Sequence, residues 1–394
     1  MPSDICFDIL LLTYNRPVLL KYTLQSLSNQ TFKNFVIHLI DHGSNPPVVK
    51  ENLPKDLNIR FTRYETNFVD QHGCDIQEKV LGQLEGTHFI SLGDDDILLP
   101  HALETIESLL IEKPEIESLG VGFTCFNHDE GLALNNDDSL KIFDNRLYYF
   151  NAFETTISIC CNWGIGAKVD YFFPEMAHPS ASIISNKLIK KTTKKQGRLF
   201  IKPLGDVGYL GTLLNTDFSY FLNCPLVILG KSSFQETNSN NPNSRFKWER
   251  ETTNIKYSPL RSSTFTNVAI ESHLAVLLAN GVDKRLDCSL RPEFFMRHLY
   301  EIISDDPWTL KTEQDVAEAM PFYIRSIIKY NGVNEAEARN ESLGWLRKNV
   351  ENIRNNRISK NNKTTIEVNN VCEYKTVLDY SEHLVDSYWR NVGL

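Results

Sequence analysis

The sequence predicts an α/β unit over residues 1–248, built on a mainly parallel sheet, followed by an all-α unit over 249–394. Three observations carry this expectation. Short apolar runs alternate with stretches of helical period through the first hundred residues, the pattern of βαβ units. Each run ends in small, polar or acidic residues. Beyond about residue 250 the apolar spacing becomes wholly helical.

In chain order, Ile9-Leu10-Leu11-Leu12 is a continuous apolar run, as a strand buried on both faces of a parallel sheet should be. Pro17 opens a helix carrying Leu20, Leu24 and Leu27 on one stripe. Phe35 to Ile40 and Asn58 to Tyr64 read as the second and third strands. A helix from Gly73 to Glu85 sets Ile76, Val80 and Leu84 together, and Thr87 to Leu92 is the fourth strand. His101 to Ile111 is a helix with Leu103, Ile106 and Leu110 on one face, and Leu119 to Phe126 a strand. Residues 127–145 are a polar excursion without the spacing of a calcium loop. Residues 146–175 hold Tyr148, Tyr149, Phe150, Phe153, Trp163, Tyr171, Phe172 and Phe173, for which core packing is the first expectation. Stacking on a sugar is the second, with Trp163, beside Gly164 and Gly166, the best placed. Ser185 to Lys191 and the stretch opened by Asp206 read as helices, and Phe218 to Leu229 as returning strand. Helices are expected at 265–280, 291–304, 312–329, 334–353 and 373–390, with a polar break from Arg354 to Lys363. Trp308, Trp345 and Trp389 read as packing residues.

A net charge of −9 argues against nucleic acid as a partner. No apolar run approaches ~18 residues, and the opening residues lack a basic segment and a small-residue cleavage site. Eight cysteines occur without a C-x-x-C pair, so buried thiols are expected rather than zinc or disulfides. The expected location is the cytoplasm, with the inner face of the membrane as an alternative. From Lys187 to Lys202 there are seven basic side chains. A solvated helix face is the first reading, and contact with a phosphate-bearing acceptor or an anionic membrane the second.

Ligands of open α/β sheets bind at the carboxyl ends of the strands. There the sequence places Thr13-Tyr14-Asn15-Arg16, Asp41-His42-Gly43-Ser44, Asn67 with Gly73 and Asp75, and Gly93-Asp94-Asp95-Asp96. Adjacent carboxylates raise one another's pKa. A hard divalent cation, Mn²⁺ or Mg²⁺, relieves this and usually completes its shell with water and phosphates. A helix N-terminal cluster is the alternative for the triplet, and a turn residue the alternative for Asp41.

In order, TYNR, DHGS and GDDDILLP resemble the inverting GT-A glycosyltransferases of family 2, over roughly residues 5–235. The resemblance implies a Rossmann-like GT-A domain that transfers a sugar from a nucleotide diphosphate, such as a UDP-sugar, to an acceptor hydroxyl. The acceptor would be a glycan or lipid-linked saccharide, in cell-surface polysaccharide or lipopolysaccharide biosynthesis. By resemblance Thr13, Tyr14, Asn15, Arg16, Asp41, Gly43, Ser44, Asn67, Gly73 and Asp75 line the donor nucleotide, with Asp94 and Asp95. The triplet corresponds to the DXD motif, Asp96 holding the metal with Asp94 a second candidate. Many relatives have an aspartate where Gly93 stands. His178 and Ser180 fall on the acceptor side with Trp163. Asp206 corresponds to the catalytic base, although Gly205 replaces the first member of the usual acidic pair. The loop GKSSFQETNSNNPNSRFKW, expected to be a lid, lacks the histidine that often completes the metal shell; Gln235, Glu236 or an asparagine are substitutes. The helical unit lies outside the resemblance and is expected to serve dimerisation, partner docking or peripheral membrane contact. The competing expectations are a catalytically silent nucleotide-sugar-binding module and a sugar-phosphate nucleotidyltransferase. The latter wants a glycine-rich first loop that TYNRP does not provide.

Overall fold

The computed structural model describes residues 4–65, 73–129, 131–133, 143–153, 156, 179–201, 208–231, 255–258, 260, 265–282, 292–305, 310–360 and 378. In the first part β1 (Phe7–Thr13), α1 (Pro17–Ser28), β2 (Phe35–His42), β3 (Ile59–Tyr64), α2 (Gly73–Leu81), β4 (His88–Gly93), β5 (Ile97–Leu98) and α3 (Ala102–Glu112) follow one another. Then come β6 (Ser118–Asn127), β7 (Leu132–Ala133), β8 (Leu147–Asn151), β9 (Ser182–Ser185), α4 (Asn186–Gln196), α5 (Leu210–Leu213) and β10 (Phe218–Lys231).

All ten strands join one sheet in the order β3-β2-β1-β4-β9-β6-β10-β5, with β7 beside β6 and β8 beside β10. The long pairings are parallel: β1 with β2 and β4, β2 with β3, β6 with β10. The short strands β5, β7, β8 and β9 run antiparallel. The central place of β1 explains its unbroken apolar run, since both faces are covered. Ile9 and Leu11 pack with Leu20, Leu24 and Leu27 of α1 and Leu103, Ile106 and Leu110 of α3. Leu10 points the other way, to Ile76 and Val80 of α2 and Leu188 and Ile189 of α4. Each such buried leucine or isoleucine contributes roughly 1.5–3 kcal/mol relative to exposure.

One acid sits inside this strand. Asp8 is fully buried and accepts from Gly86 N at 2.7 Å and Asn186 Nδ2 at 3.1 Å, while His38 Nε2 lies 2.8 Å from its other oxygen. These bonds tie β1, β2 and α4 at the amino end of the sheet. Ser185 caps α4 by accepting from Leu188 N, and Gly197 ends it at φ 86°. The helix therefore runs farther than the expected Lys191, to the first residue able to adopt that conformation cheaply.

The helical part comprises α6 (Phe265–Ala279), α7 (Pro292–Asp305), α8 (Leu310–Asn331) and α9 (Glu335–Lys360). Its core takes in Ile201, Leu210 and Leu213 along with Leu274, Phe294, Leu299 and Tyr323. Trp345 packs edge-on against Tyr323, as a packing residue should. Asn280 Nδ2 donates to Gln196 of α4 at 2.8 Å and its oxygen accepts from Asn215. The helices are thus keyed into α4 and α5. The expected boundary at 248 lies outside the described residues, as do Trp308, Trp389 and all of 373–390 but Leu378.

Two expectations are corrected. The polar stretch from Arg354 is no break before Lys360: α9 continues through it. It contains no proline or glycine, and its arginines and lysine are good helix formers, so nothing in the sequence ends the helix there. Tyr148, Tyr149, Phe150 and Phe153 are not core residues; none is buried, and Tyr149 and Phe153 are exposed. The first three lie on β8, whose single pairing among the described residues is with β10.

Candidate active site

The carboxyl ends of β1, β2 and β4 meet, and their loops are bonded to one another. Parallel register sets Leu12 beside Gly93, so the next residues, Thr13 and Asp94, face across the pair. Thr13 Oγ1 donates to Asp94 Oδ2 at 2.8 Å. Arg16 Nη1 donates to Asp94 Oδ1 at 2.9 Å and lies 3.4 Å from Asp95 Oδ2. Asn15, at φ 55°, turns its backbone N–H to Ser44 Oγ and its side-chain oxygen to Asn45 N. Gly43, at φ 93°, makes the turn that brings Ser44 back. Tyr14 stacks on His42 with ring centroids 5.3 Å apart.

Asp41 is fully buried beneath this loop. Its Oδ1 accepts from Ser44 N at 2.9 Å and its Oδ2 from Val48 N at 3.0 Å and from Arg63. Burial alone would raise its pKa; the bonds from Ser44, Val48 and Arg63 outweigh that and hold it below the usual carboxylate range. In this geometry Asp41 organises the loop over it, the turn role that the residue types allow.

The triplet occupies a tight turn in which Asp96 N donates to Gly93 O at 3.2 Å. All three acids are buried. Asp96 Oδ2 accepts from Gly93 N and from Ser180 Oγ, and Oδ1 accepts from Gly230 N at 2.9 Å. Ser180, expected on the acceptor side, thus lies against Asp96. A Cβ at Gly93 would meet Asp96 Oδ2 at 2.6 Å, so the carboxylate takes the space that a side chain at 93 would fill. A Cβ at Gly230 would meet the Asp95 carbonyl at 2.1 Å. His128 Nε2 lies 3.0 Å from that same carbonyl. Burial pushes Asp94 up to about 6, against the Arg16 guanidinium, with the Asp95 charge adding to the rise. Burial and then the Asp95 charge push Asp96 up to about 7.

Gly73 and Asp75 begin α2, after the end of β3. Asp75 Oδ1 pairs with Arg198 at 2.6 Å, and Glu78 accepts from Leu199 N and Phe200 N. These contacts hold the chain just before residue 202. Asn67, Trp163, His178, Gly205, Asp206, Gln235 and Glu236 lie outside the described residues. Sequence reasoning missed Arg63, His128 and Gly230, and gave His42 no role. Their positions depend on pairings between distant segments, which leave no local signal.

The acids suit a hard cation in a limited way. Among the described residues no group of three or more His, Cys, Asp or Glu side chains is arranged to hold a metal. Asp96 Oδ2 already takes two hydrogen bonds, whereas Oδ1 takes one and retains a lone pair. Oxygen donors in buried carboxylates with raised pKa fit Mg²⁺ or Mn²⁺ that draws most of its shell from phosphate and water.

No family model matches the chain. The chain is 23% identical over 319 residues to "Glycosyltransferase GlyA" of Streptococcus pneumoniae serotype 4, over 75% of its own length and 41% of that protein's. It therefore spans less than half of that curated relative. S. aureus TarS 1–349 in complex with UDP-GlcNAc superposes with a TM-score of 0.55 at 14% identity, covering 89% of this chain and 92% of that one. The same TarS segment in complex with UDP gives 0.52 at 15% identity, covering 93% and 96%. At these identities the likeness establishes the fold: a mixed α/β domain with a mostly parallel central sheet and a helical region after it.

Proposed function

We propose that the chain is an inverting glycosyltransferase that takes its sugar from a nucleotide diphosphate, with a UDP-sugar as the donor. The observation that carries the reading is the junction of Thr13, Arg16 and Asp94 at the carboxyl ends of adjacent parallel strands. The crystallised TarS complexes with UDP-GlcNAc and UDP, which share the fold, support a uridine donor. The GlyA relation supports sugar transfer.

In this reading the stacked pair Tyr14 and His42 offers a flat surface for a base, and the loop organised by Asp41 fixes it. Asp94 accepts from the ribose hydroxyls, and Arg16, held against two acids, stands ready to turn toward phosphate. Asp96 would hold Mn²⁺ or Mg²⁺ through Oδ1, with Asp94 as the second candidate. When bound, the cation supplies neutralisation of the charge that grows on the leaving diphosphate. Asp206 takes the proton of the acceptor hydroxyl as it attacks from the face opposite the leaving group, which inverts the anomeric centre. The acceptor is a glycan or lipid-linked saccharide, in cell-surface polysaccharide or lipopolysaccharide assembly.

One observation favours a silent nucleotide-sugar-binding module: Arg16 already partly neutralises Asp94 and Asp95. The test is a thermal-shift series with UDP-sugars, with and without Mn²⁺, followed by donor turnover. A matched donor at about a hundredfold over its Kd adds roughly 2.7 kcal/mol of stability. Turnover by the wild type, lowered about 10²–10⁴-fold in Asp206→Asn with the shift intact, supports the enzyme. A shift without turnover means the silent module, and no shift from any nucleotide sugar sinks both.

A further inference from the structure

We infer that His128 is a positioning residue for the acid turn: it locks the peptide that joins Asp95 to Asp96 and so aims both side chains. The inference rests on the reading that gives this turn to the donor.

The topology brings three distant segments together. Asp94, Asp95 and Asp96 fill the turn between β4 and β5. β10 borders β5, with Ile228 opposite Ile97. On its other side β10 runs parallel to β6, with Gly230 opposite Phe126 and Lys231 opposite Asn127. His128 is the next residue after β6, so it leaves the sheet at the end where the acids lie. The local chain holds its half-buried ring in place. Asp129 N donates to Asn127 Oδ1 at 3.0 Å, which tightens the turn after β6. The His128 ring meets the buried Phe126 ring edge-on, with centroids 5.3 Å apart.

The contact with the acid turn fixes a proton. His128 Nε2 lies 3.0 Å from the Asp95 carbonyl oxygen. A carbonyl oxygen only accepts, so the bond needs the ring proton on Nε2. Asp95 O belongs to the same peptide as Asp96 N, which donates to Gly93 O at 3.2 Å. A peptide is planar, so holding its oxygen and its N–H fixes its plane. That plane sets the directions in which the Asp95 and Asp96 side chains leave the backbone. Gly230 completes the clamp, since its N–H donates to Asp96 Oδ1 at 2.9 Å. A Cβ there would lie 2.1 Å from Asp95 O and 2.6 Å from His128 Nε2. The missing side chain is what lets the imidazole and the carbonyl meet.

Adjacent carboxylates repel, and a turn free to relieve the repulsion would splay them. A bond to the backbone between two of them holds the turn closed and leaves the carboxylate oxygens to other partners.

Three substitutions separate the bond from the ring. His128→Phe keeps a ring against Phe126 and removes the donor. His128→Gln carries its amide nitrogen as many bonds from Cα as Nε2. His128→Asn carries it only as far as Nδ1. The first measurement is amide exchange by NMR on the full chain without ligand. The N–H groups of Asp96 and Gly230 should exchange about tenfold faster in His128→Phe and His128→Asn, and within about twofold of wild type in His128→Gln. Gly86 N, bonded to Asp8 at the other end of the sheet, should not change. The second is turnover of the UDP-sugar selected by the thermal-shift series, with Mn²⁺. The donor KM should rise about tenfold in His128→Phe and His128→Asn with a smaller change in kcat, and His128→Gln should restore it. A residue that merely supported the fold would lower the melting temperature in all three and leave KM alone. Wild-type exchange in His128→Phe, no rescue by His128→Gln, or faster exchange with an unmoved KM would each overturn the inference. If the series selects no donor while the exchange pattern holds, the donor reading falls and the lock on the turn stands.

Discussion

Asp8 and Asp94 are the same residue type, belong to neighbouring strands of one sheet and are 0% and 5% exposed, yet their charges meet opposite fates. At the amino end Asp8 is surrounded by donors. Burial would raise its pKa, but the bonds from His38, Gly86 N and Asn186 more than offset this and lower it. At the carboxyl end Asp94 has Thr13 and one arm of Arg16, beside two further acids, and its pKa goes up to about 6. The fold satisfies one acid internally and leaves the other short of partners. The buried carboxylate short of donors lies at strand ends where ligands bind, the end of the sheet to which the proposed function assigns the donor.

Substitution should separate the two ends. Asp94→Asn can keep both local hydrogen bonds, because the Thr13 hydroxyl can reverse. It should lower donor turnover at least about a hundredfold through lost donor contacts, with a melting temperature no lower than the wild type's. Asp8→Ala should do the reverse. It strands His38, Asn186 and Gly86 N in a buried place and should cost on the order of 3 kcal/mol in a denaturant titration. Its kcat at a temperature where it stays folded should match the wild type. If turnover in both variants simply followed their stability, the contrast between the ends would carry no functional meaning.

The pH dependence sharpens the same contrast. For Asp94 the folded-state pKa lies above the unfolded value of 3.8, so the folded protein binds more protons between 3.8 and about 6. Stability therefore falls as pH rises through that window. Asp94→Asn should match the wild type near pH 4 and exceed it above pH 6. The gap approaches about 3 kcal/mol, from a shift of roughly two units at 1.36 kcal/mol each. Asp8 has the opposite sign. Its contribution is present above 3.8 and is lost as pH falls through its lowered pKa. Paired melts of the two proteins across pH 4–8 check this, and a constant gap would show that Asp94 does not titrate there.

Much of the sheet was legible because periodicity reports burial directly. Ile9 to Leu12 reads as a doubly covered strand because that is what it is, and Leu20, Leu24 and Leu27 mark one buried stripe. The strand-end loops were legible as a group, since topology alone sends them to one edge. What escaped depends on contacts between segments far apart in the chain. Gly230 reaches Asp96 across 134 positions, and Arg63 reaches Asp41 only because β2 and β3 pair in parallel. Asp8 drew no reading from the sequence, because its partners His38, Gly86 and Asn186 are supplied by distant segments. Exposure of Tyr149 could not be read from its type, because aromatic residues serve cores and surfaces alike.

The smallest effect tests how tightly the acid turn is built. Gly93 adopts no left-handed conformation that would require glycine, so any cost of a side chain there is steric. An alanine Cβ would sit 2.6 Å from Asp96 Oδ2 and 3.0 Å from Asp95 Oδ1. The Asp96 carboxylate would have to move off its bonds to Gly93 N and Ser180, or the turn would have to open. Gly93→Ala should therefore raise the donor KM about three- to tenfold and cost roughly 1 kcal/mol of stability, with a smaller change in kcat. Gly82→Ala is the matched control, since its Cβ would find the nearest atom, Lys79 O, at an ordinary 3.5 Å. If Gly93→Ala behaved like Gly82→Ala in both melting and KM, the position of the Asp96 carboxylate would not matter to the donor. The shortage of partners at that end would then concern stability alone.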